Sequence, residues 1–401
     1  MKNVLFLLDY YLPNASANGI CISKLSEEFV KKGIGVSIIC FEDDARKTSY
    51  GENNEKLYTL IRPKPKKHLR KLTYYSKWLF SRKHLPAENK SVIKEMLVLA
   101  EKVINTDSID TVICTHLPLE TVSVGKALKE KYPHLNIVSY MLDSLSGGFL
   151  PRLLPASFCR KKKLRFEKQN LSHFDRVILM ESSREHHEKY NKTANWYKNA
   201  YFLDVPALCK TTSDKDFQKE ETDETVLCFI GTMCDGVRTP YALLQALSNI
   251  SDLKIRLIIA GKNYCENLQS YLNNSNNVTL DIRGEVPYDE AQKILRLADF
   301  PVNIGNVNPN LVPSKIFEYM SYGKPIISTY TSNADSSIPY LSKYPAVFLL
   351  DEQNKDTKAI SASLKSFLTE HKKTSVPYES LEKQLYNNTP TALYDLLSSE
   401  K

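Results

Sequence analysis

The feature of this 401-residue sequence that most restricts its fold is the alternation of short apolar segments with amphipathic ones. NVLFLLDYY and VSIICF have the near-continuous apolar character of buried strands, and ISKLSEEFVKKG between them has helical spacing and ends at Gly33. The alternation continues through DTVICTH, NIVSYML and FDRVILM. Apolar strands that alternate with helices predict a parallel sheet with helices on both faces.

The same pattern restarts after a polar stretch. TTSDKDFQKEETDE is typical of a linker, and TVLCFIG, IRLIIAG, FPVNIG and KYPAVFLL follow it as further strand-like segments. We therefore predict an α/β fold of two Rossmann-like, doubly wound parallel-sheet domains that face a cleft. Ligands bind beyond the carboxyl ends of such strands, so the cleft is the predicted site. The predicted boundaries are a first domain at 1–204, a linker at 205–224, a second domain at 225–377 and a helical segment at 378–401 that can return to the first domain.

Composition restricts the class of protein. Apolar residues make up 42% of the chain, and no stretch approaches the uninterrupted apolar length that spans a bilayer. The N-terminal apolar run contains Asp9 and lacks a small-residue cleavage site, so we expect a buried first strand rather than a signal peptide. The eight cysteines form neither Cys-x-x-Cys nor zinc-ligand spacing with a histidine. We predict a cytoplasmic protein without a structural metal.

Charge is distributed unevenly along the chain. Residues 1–200 carry 34 Lys/Arg against 21 Asp/Glu, whereas the remainder carries 20 against 25. The segment 57–87 contains nine cations and no acidic residue, with aromatic residues interleaved, and RKKKLR at 160–165 is a second basic run. Such segments suit an anionic membrane surface, and we predict peripheral attachment to the inner face of the cell membrane. A solvated face over an ordinary helix is the alternative; no motif indicates a nucleic-acid partner.

The segment NLVPSKIFEYMSYGKPIIST, residues 310–329, indicates a short helix that leads into a strand. Ser314 is a suitable N-cap, and Gly323 can end the helix. Lys315 places a cation where the helix begins, and Glu318 places a carboxylate one turn later. A helix N-terminus supplemented by full positive charges suits an anion.

A second group of candidates follows the strand TVLCFIG. These are Gly231, Thr232 and, just before the next helix, Arg238. The carboxyl ends of parallel strands meet at one edge of the sheet, so we expect Arg238 and Lys315 to lie at the same edge. Two cations would suit a diphosphate, and Glu318, which only accepts hydrogen bonds, would suit a ribose diol. The chain has no Walker lysine motif and no G-x-G-x-x-G, so a P-loop or nicotinamide site is not supported.

Three stretches of the second half carry a family resemblance: VLCFIGTMCDGVRTPYALLQAL, NVTLDIRGEVPYDEAQKILRLADFPVNIG and NPNLVPSKIFEYMSYGKPIIST. They resemble the donor domain of GT-B glycosyltransferases, most of all glycosyltransferase family 4. In the first half, YYLPNASANGICISKLSEEFVKKGIGVSIIC resembles the opening strand, loop and helix of that family. The resemblance covers nearly the whole chain. It is most specific in the last third and weak between residues 45 and 105.

The resemblance implies that the second domain binds a nucleotide-sugar and that the first domain is the acceptor side. Glu318 matches the second glutamate of the family's E-x7-E motif, which resembles a ribose clamp, and Arg238 matches its diphosphate-binding lysine. Gly284 matches the turn whose backbone meets the base, and Gly19 matches the loop after the first strand that faces the diphosphate. The residues predicted to bind the nucleotide-sugar are Gly19, Gly231, Thr232, Arg238, Gly284, Ser314, Lys315 and Glu318.

The chain departs from the family pattern at three positions. Asn310 stands eight residues before Glu318, where the motif has its first glutamate. Thr232 stands where an arginine is expected, and Leu142 stands where a histidine is usual, although the adjoining Asp143 is kept. Asn310 can still donate to and accept from a sugar hydroxyl.

The activity that the resemblance implies is a retaining, metal-independent transfer of a sugar from a nucleotide-sugar, with a UDP-sugar expected as co-substrate and no other cofactor. The acceptor would be a saccharide, expected to be lipid-linked, in surface polysaccharide or glycoconjugate synthesis. Lys315 and Arg238 would stabilise the departing β-phosphate, and Asn310 and Asp143 are the further catalytic candidates. His116, which ends a strand in the first half, is the acceptor-side candidate.

Two other functions stay open at this point. Asn310 and Thr232 favour a non-catalytic GT-B subunit that binds glycan or a partner transferase. A nucleotide-sugar epimerase on the same fold would need acid and base groups around the cleft. His186 and His187 are expected on an exposed helix and suggest no metal site.

Overall fold

The computed structural model describes residues 1–12, 16–42, 51, 54–62, 86–148, 155–211, 223–272, 275–306 and 313–399. The chain forms two compact units. Unit 1 comprises Met1–Pro206 together with Pro390–Lys401, and unit 2 comprises Ala207–Thr389. Each unit is described separately below.

Backbone hydrogen bonds fix the residues at the ends of unit 2. The Leu208 N–H donates to the Asn388 carbonyl at 2.9 Å, and the Cys209 N–H donates to Ser321 Oγ at 3.0 Å. Unit 2 is therefore longer at both ends than the 225–377 expected from the sequence. Within the expected linker, residues 212–222 lie outside the described part of the chain.

Unit 1 is built on a seven-stranded sheet in the order β3-β2-β1-β4-β5-β6-β7, and its strand pairings are parallel. The near-continuous apolar strands predicted at its centre are present, because both faces of the sheet are covered. The strands are β1 (Asn3–Leu7), β2 (Gly35–Glu42), β3 (Lys56–Ile61), β4 (Thr111–Thr115), β5 (Asn136–Met141), β6 (Arg176–Met180) and β7 (Ala200–Leu203).

Helices cover the two faces of this sheet and form two cores. On one face Leu5 and Leu7 pack in a cluster with Met96 and Leu128, and on the other Phe6 packs in a cluster with Phe29. The helices are α1 (Ala17–Lys31), α2 (Lys90–Thr106), α3 (Glu120–Lys131), α4 (Ala156–Asn170) and α5 (Arg184–Asn191), with 3-10 turns at Leu171–His173, Glu181–Ser183 and Asn195–Asn199.

Unit 2 has a six-stranded sheet in the order β12-β10-β8-β13-β14-β15, also with parallel pairings, and a separate two-stranded pair, β9 and β11. The strands are β8 (Thr225–Ile230), β9 (Met233–Cys234), β10 (Ile255–Ala260), β11 (Asn263–Tyr264), β12 (Val278–Gly284), β13 (Phe300–Asn303), β14 (Ile326–Tyr330) and β15 (Val347–Asp351). The helices are α6 (Tyr241–Ser248), α7 (Tyr288–Leu297), α8 (Lys315–Ser321), α9 (Ile338–Leu341), α10 (Thr357–His371) and α11 (Tyr378–Gln384), with 3-10 turns at Leu268–Leu272 and Tyr386–Asn388.

The last helix, α12 (Pro390–Ser398), belongs to unit 1 and packs on α1. Its Thr391 Oγ1 donates to Glu28 Oε1 at 3.0 Å, and the Tyr394 ring lies edge-on to Phe29 with 5.9 Å between ring centroids. The Arg176 guanidinium donates to the Leu396 carbonyl at 2.6 Å. The C-terminal residues thus complete the second core of unit 1.

The predicted fold class, two doubly wound parallel α/β sheets, is confirmed. Across the described ranges, no helix combines the length and the apolar character needed to cross a membrane.

Candidate active site

The carboxyl ends of β8 and β10 come into close backbone contact in unit 2. Gly231 follows β8, and its N–H donates to the Ala260 carbonyl at 2.8 Å. Gly261 follows β10 with φ +134°, and a Cβ atom there would lie 2.0 Å from the Gly231 carbonyl oxygen. Only glycine avoids this collision and adopts this φ without strain. At Gly231 and Gly261, therefore, the backbone at this edge of the sheet is not covered by a side chain of its own.

Arg238 follows β8 in a tight turn. Its N–H and carbonyl both bond to the backbone of Cys234, at 2.9 and 3.0 Å, around Gly236 with φ +71°. The guanidinium is half-buried, and its Nε has no hydrogen-bond partner among the described residues. Burial lowers the pKa of Arg238, although Tyr319 and Asp335 nearby oppose this. A buried guanidinium N–H without an acceptor is unfavourable, and an anionic ligand would supply the acceptor.

Helix α8 starts at the same edge of the sheet. Its Tyr319 is buried, and the Tyr319 hydroxyl lies close to the backbone of Ile230, the last residue of β8. Tyr319 also interacts electrostatically with the Arg238 guanidinium. The structure therefore brings Lys315 and Glu318, which are both on α8, to the part of the sheet edge that carries Arg238.

Lys315 and Glu318 form an ion pair in this structure. Lys315 Nζ lies 3.5 Å from Glu318 Oε2. The Lys315 side chain is 37% exposed, whereas Glu318 is 8% exposed. The long, partly exposed lysine side chain can leave the pair for a ligand, but the carboxylate is held in place by its burial.

Ser314 occupies the N-cap position of α8, but its side chain makes no capping hydrogen bond. The predicted side-chain cap is therefore wrong. Its backbone is helical, with φ −56° and ψ −26°, whereas a capping serine has extended backbone that turns its Oγ toward the first free N–H groups. Since α8 has only 7 residues and no side-chain cap, the charge available to an anion comes mainly from Arg238 and Lys315.

Two residues missed by the sequence analysis hold the Glu318 carboxylate. Gln292 of α7 donates through Nε2 to Glu318 Oε1 at 2.7 Å. The Tyr322 hydroxyl in turn donates to Gln292 Oε1 at 2.7 Å. The only sequence signal is that Gln292 interrupts the charged face of an amphipathic helix, which does not indicate a partner on another helix.

The other residues predicted at this edge have less defined surroundings. Thr232 is exposed directly after Gly231. Gly284 ends β12 with φ +68°, and its carbonyl accepts the Gly261 N–H at 2.7 Å. Asn310 lies outside the described residues, so its contact with a sugar stays a prediction.

In unit 1, His116 and Asp143 face each other after β4 and β5. His116 Nε2 lies 3.9 Å from Asp143 Oδ2, and the Asp143 side chain is 64% exposed. His116 is buried, and burial lowers its pKa to about 4, with Asp143 opposing this shift and Lys163 adding to it. The imidazole is therefore neutral at physiological pH. Its Nδ1 has no hydrogen-bond partner within the described part of the chain.

Residues 224–368, which lie within unit 2, match the family model described as glycosyl transferases group 1. Unit 2 carries a glycosyltransferase group 1 domain. The glycosyltransferase that the sequence analysis predicts is thereby confirmed.

Solved structures of other proteins resemble the whole chain. A glycosyltransferase from Rickettsia africae is 12% identical with a TM-score of 0.62, over 100% of this chain and 99% of that one. HepE from Anabaena, in complex with UDP and glucose, is 14% identical with a TM-score of 0.61 over 100% of both chains. Sucrose-phosphate synthase from Thermosynechococcus elongatus is 12% identical with a TM-score of 0.61, over 99% and 98%. At these identities the likeness establishes the GT-B fold. Comparison with curated protein sequences finds no significant match.

A buried polar network in unit 1 of this glycosyltransferase was not predicted. The Glu167 carboxylate, on α4, accepts hydrogen bonds from the Ser146 N–H at 2.9 Å, from Ser146 Oγ at 2.9 Å and from Asn191 Nδ2 at 3.1 Å. Glu167 is 0% exposed, and burial raises its pKa to about 6, against the effect of the Ser146 hydrogen bonds. Ser146 belongs to the loop that also carries Asp143, so the network fixes this loop to α4 and α5.

The predicted exposure of His187 is wrong. His187 is 0% exposed, and its Nδ1 is 2.8 Å from Asn191 Nδ2. Burial is the main cause that lowers its pKa to about 3. The neighbouring His186 is partly buried, and its Nε2 is 2.9 Å from Ser146 Oγ. The strongly polar sequence of α5 predicts a surface position for both histidines, but one side of this helix faces the buried network.

Gly19 is not in the loop where the resemblance placed it. It lies in the first turn of α1, and its N–H donates to Ser16 Oγ at 3.1 Å as part of a side-chain cap. Helix α1 starts at Ala17, five residues before Ile22, where the apolar spacing in the sequence begins. Contact of Gly19 with a diphosphate stays a prediction, but its own N–H is already used in the cap.

The basic run at 160–165 is not a uniform cationic face. Lys163 is 9% exposed, and burial lowers its pKa. Lys161 and Arg165 are exposed, and Lys162 Nζ lies 5.8 Å from the ring of Phe158, which is itself partly exposed. Within the other basic segment, 57–87, residues 63–85 lie outside the described residues.

A cavity of about 390 Å³ lies between the start of α2 and α4. Lys90, Lys162 and Arg165 contribute cations to its lining and Glu88 a carboxylate, and none of the predicted site residues lines it. In the described residues, no three His, Cys, Asp or Glu side chains come together as a metal site. Apart from Gly19 in α1 and Asn310 outside the described residues, the predicted site residues are divided between the sheet edge of unit 2 and the β4 and β5 ends of unit 1.

Proposed function

We propose that the protein is a retaining, metal-independent glycosyltransferase that moves a sugar from a UDP-sugar to a saccharide acceptor. The observation that carries the proposal is the half-buried Arg238, whose Nε has no acceptor among the described residues, at the sheet edge where Lys315 and Glu318 stand. Two cations and one carboxylate at one edge of the sheet match the anionic diphosphate and the ribose hydroxyls of a nucleoside diphosphate. The cations would bind the diphosphate and the carboxylate the ribose diol.

Binding of the diphosphate would change the partners of both cations. Arg238 Nε would gain an acceptor in a partly desolvated place, where a charge-assisted hydrogen bond is stronger than in water. Lys315 would exchange its 3.5 Å contact with Glu318 for a phosphate oxygen. Glu318 would then keep its bond from Gln292, and its Oε2, no longer paired with Lys315, would accept from the ribose hydroxyls.

The transfer would proceed with retention at the sugar. The bond between the anomeric carbon and the β-phosphate oxygen breaks, the acceptor oxygen bonds to the same face of that carbon, and the acceptor proton passes to the departing phosphate. Arg238 and Lys315 would stabilise the charge that develops on the β-phosphate. The protein then contributes positioning and electrostatic stabilisation rather than a covalent intermediate.

The acceptor side of the proposal rests on unit 1. His116 is buried and neutral at physiological pH, and Asp143 beside it is exposed, so the pair can bind a sugar hydroxyl through one donor and one acceptor. We propose a lipid-linked saccharide in surface polysaccharide or glycoconjugate synthesis as the acceptor. HepE, which has the same fold, is known in complex with UDP and glucose, which agrees with a UDP-sugar donor here.

Nucleotide binding is tested by a thermal-shift panel of UDP, GDP and ADP. UDP should stabilise the protein, by about 2.7 kcal/mol at a hundredfold excess over Kd. Arg238→Ala, Lys315→Ala and Glu318→Ala should each weaken UDP binding about tenfold or more, because each removes a charged partner. Lys343→Ala, which removes an exposed cation elsewhere in unit 2, is the control and should bind like the wild type. No stabilisation by UDP, or equal binding by the variants, would contradict the proposal.

The reaction is tested with UDP-sugars and saccharide acceptors. NMR of the product should show the anomeric configuration of the donor, and EDTA should leave the rate unchanged. An inverted product would contradict retention, and loss of activity in EDTA that is restored by a divalent cation would contradict the metal-independent mechanism.

We also propose that unit 1 attaches to an anionic membrane surface through α4. Lys161, Lys162 and Arg165, with the partly exposed Phe158, combine cations and an apolar side chain on this helix. The protein should sediment with vesicles that contain anionic lipid and be released by salt. Replacing Lys161 and Lys162 by alanine should weaken this binding. Replacing the exposed Lys355 and Lys358 of unit 2 is the charge-matched control. Binding that salt does not change would contradict the proposal.

A further inference from the structure

The Glu318 carboxylate is oriented by a chain of two hydrogen bonds. The Tyr322 hydroxyl donates to Gln292 Oε1 at 2.7 Å, which leaves the amide Nε2 to donate to Glu318 Oε1, also at 2.7 Å. The direction of the second bond follows from its chemistry, since an ionised carboxylate only accepts. The Gln292 amide thus accepts on one side and donates on the other, and turning it over would point its carbonyl oxygen at the Glu318 carboxylate.

The two helices that carry this chain are held together independently of it. Lys324, which follows α8, donates through Nζ to the carbonyls of Leu295, Arg296 and Ala298 at the end of α7, at 2.9, 2.5 and 2.5 Å. These bonds stabilise the C-terminal end of α7. Gln292 is thus carried on a helix whose place beside α8 does not depend on its own side chain.

We infer that Gln292, held by Tyr322, is a positioning residue that orients the Glu318 carboxylate toward a ribose diol and so sets the preference for ribonucleotides over 2′-deoxyribonucleotides. The inference rests on the proposed function, because it takes Glu318 to bind the ribose. Gln292 itself acts through Glu318 and does not contact the nucleotide.

The consequence of losing Gln292 follows from a second partner of Glu318, the Lys315 ammonium. Lys315 Nζ already lies 3.5 Å from Glu318 Oε2. Without the Gln292 bond the carboxylate can turn toward this cation and form a closer ion pair. Both groups would then be withdrawn from the ligand, the carboxylate from the ribose hydroxyls and Lys315 in part from the diphosphate.

The experiment measures the affinities of UDP and 2′-deoxy-UDP by calorimetry for the full-length protein and its variants. The wild type should prefer UDP about tenfold, the effect of one lost hydrogen bond to a charged group. Gln292→Ala should weaken UDP binding about five- to tenfold and bring the ratio of the UDP and 2′-deoxy-UDP affinities close to one. Tyr322→Phe should do the same to a smaller extent. Lys293→Ala, at the exposed neighbouring position of α7, should leave the ratio unchanged.

The ratio of the two affinities separates a positioning role of Gln292 from a loss of structure, because loss of structure would weaken the binding of both nucleotides equally. Equal loss for both nucleotides in Gln292→Ala, or an unchanged ratio, overturns this inference while the proposed function stands. Absence of UDP binding by the wild type overturns both. A further check is the double variant Gln292→Ala with Glu318→Ala, which should bind UDP no worse than Glu318→Ala alone, whereas an additive loss would overturn the inference.

Discussion

The two units each contain a helical glutamate that accepts a hydrogen bond from an amide side chain, but the two carboxylates differ in their other partners. Glu167 in unit 1 is 0% exposed and accepts both the N–H and the hydroxyl of Ser146 in addition to Asn191. Glu318 in unit 2 is 8% exposed and has, beside Gln292, an ion pair with the partly exposed Lys315. The hydrogen bond from the amide side chain is similar in both units, so it does not distinguish the roles of the two carboxylates.

The difference lies in whether a partner can be exchanged. The hydrogen-bond partners of Glu167 are short, buried groups that fix a loop to a helix, and Lys163, which also interacts with this carboxylate, is itself buried. A ligand could replace these partners only if this part of unit 1 opened. Lys315 has a long side chain that can move to an anion without disturbing the fold. We therefore expect Glu167 to act mainly on stability and Glu318 mainly on binding.

The largest effect is expected for Glu167→Ala. It leaves the Ser146 N–H, the Ser146 hydroxyl and the Asn191 amide without an acceptor in the interior, which should lower the free energy of unfolding by about 4 kcal/mol. Urea unfolding followed by tryptophan fluorescence measures this in unit 1 alone, because both tryptophans, Trp78 and Trp196, lie in residues 1–206.

The matched variant is Glu318→Ala. It removes a carboxylate at the edge of unit 2 and should lower the free energy of unfolding by about 1 kcal/mol, measured by calorimetry, while UDP binding weakens about tenfold or more. If Glu167→Ala cost no more than Glu318→Ala, the division into a structural and a binding carboxylate would be wrong.

A second, smaller effect concerns pH. Burial raises the pKa of Glu167 from its ordinary value of 4.5 to about 6, so between these values the folded protein binds more protons than the unfolded chain. The contribution of Glu167 to stability is therefore fully present below about pH 4.5 and is lost as the pH rises through about 6. This loss corresponds to about 2 kcal/mol.

Glu167→Gln isolates this contribution, because glutamine does not titrate. The lowered pKa values of His116 and His187 make stability rise with pH, but the wild type and the Glu167→Gln variant share this effect. Relative to the wild type, Glu167→Gln should become more stable by about 1.5 kcal/mol between pH 4.5 and pH 6.5 in the fluorescence assay. A constant difference between the two proteins across this range would show that the carboxyl titrates normally.

The comparison also shows which features could be predicted from the sequence. The strands were predictable because buried parallel strands are apolar on both faces. The approach of Arg238, Lys315 and Glu318 to one sheet edge could be predicted because strand ends meet there, but their contacts with a ligand stay a prediction. Glu167 was missed because a glutamate at the end of a basic run resembles a solvated residue. Gln292 was missed because its partner lies on another helix, and no pattern within α7 indicates which helices become neighbours.

Capping gives the smallest expected effects, and again the two units differ. Ser16 of unit 1 has extended backbone and accepts the Gly19 N–H at 3.1 Å, whereas Ser314 of unit 2 has helical backbone and no cap bond. Ser16→Ala should therefore cost about 1 kcal/mol, which lowers the Tm of unit 1 by about 3 °C, and Ser314→Ala should shift the Tm of unit 2 by less than about 1 °C. Calorimetry without and with UDP checks both variants. If Ser314 contacts the nucleotide, as the sequence predicts, Ser314→Ala should reduce the stabilisation by UDP despite its small effect on the free protein. If that stabilisation is unchanged, Ser314 has neither a capping nor a binding role, and Arg238 and Lys315 bind the anion without it.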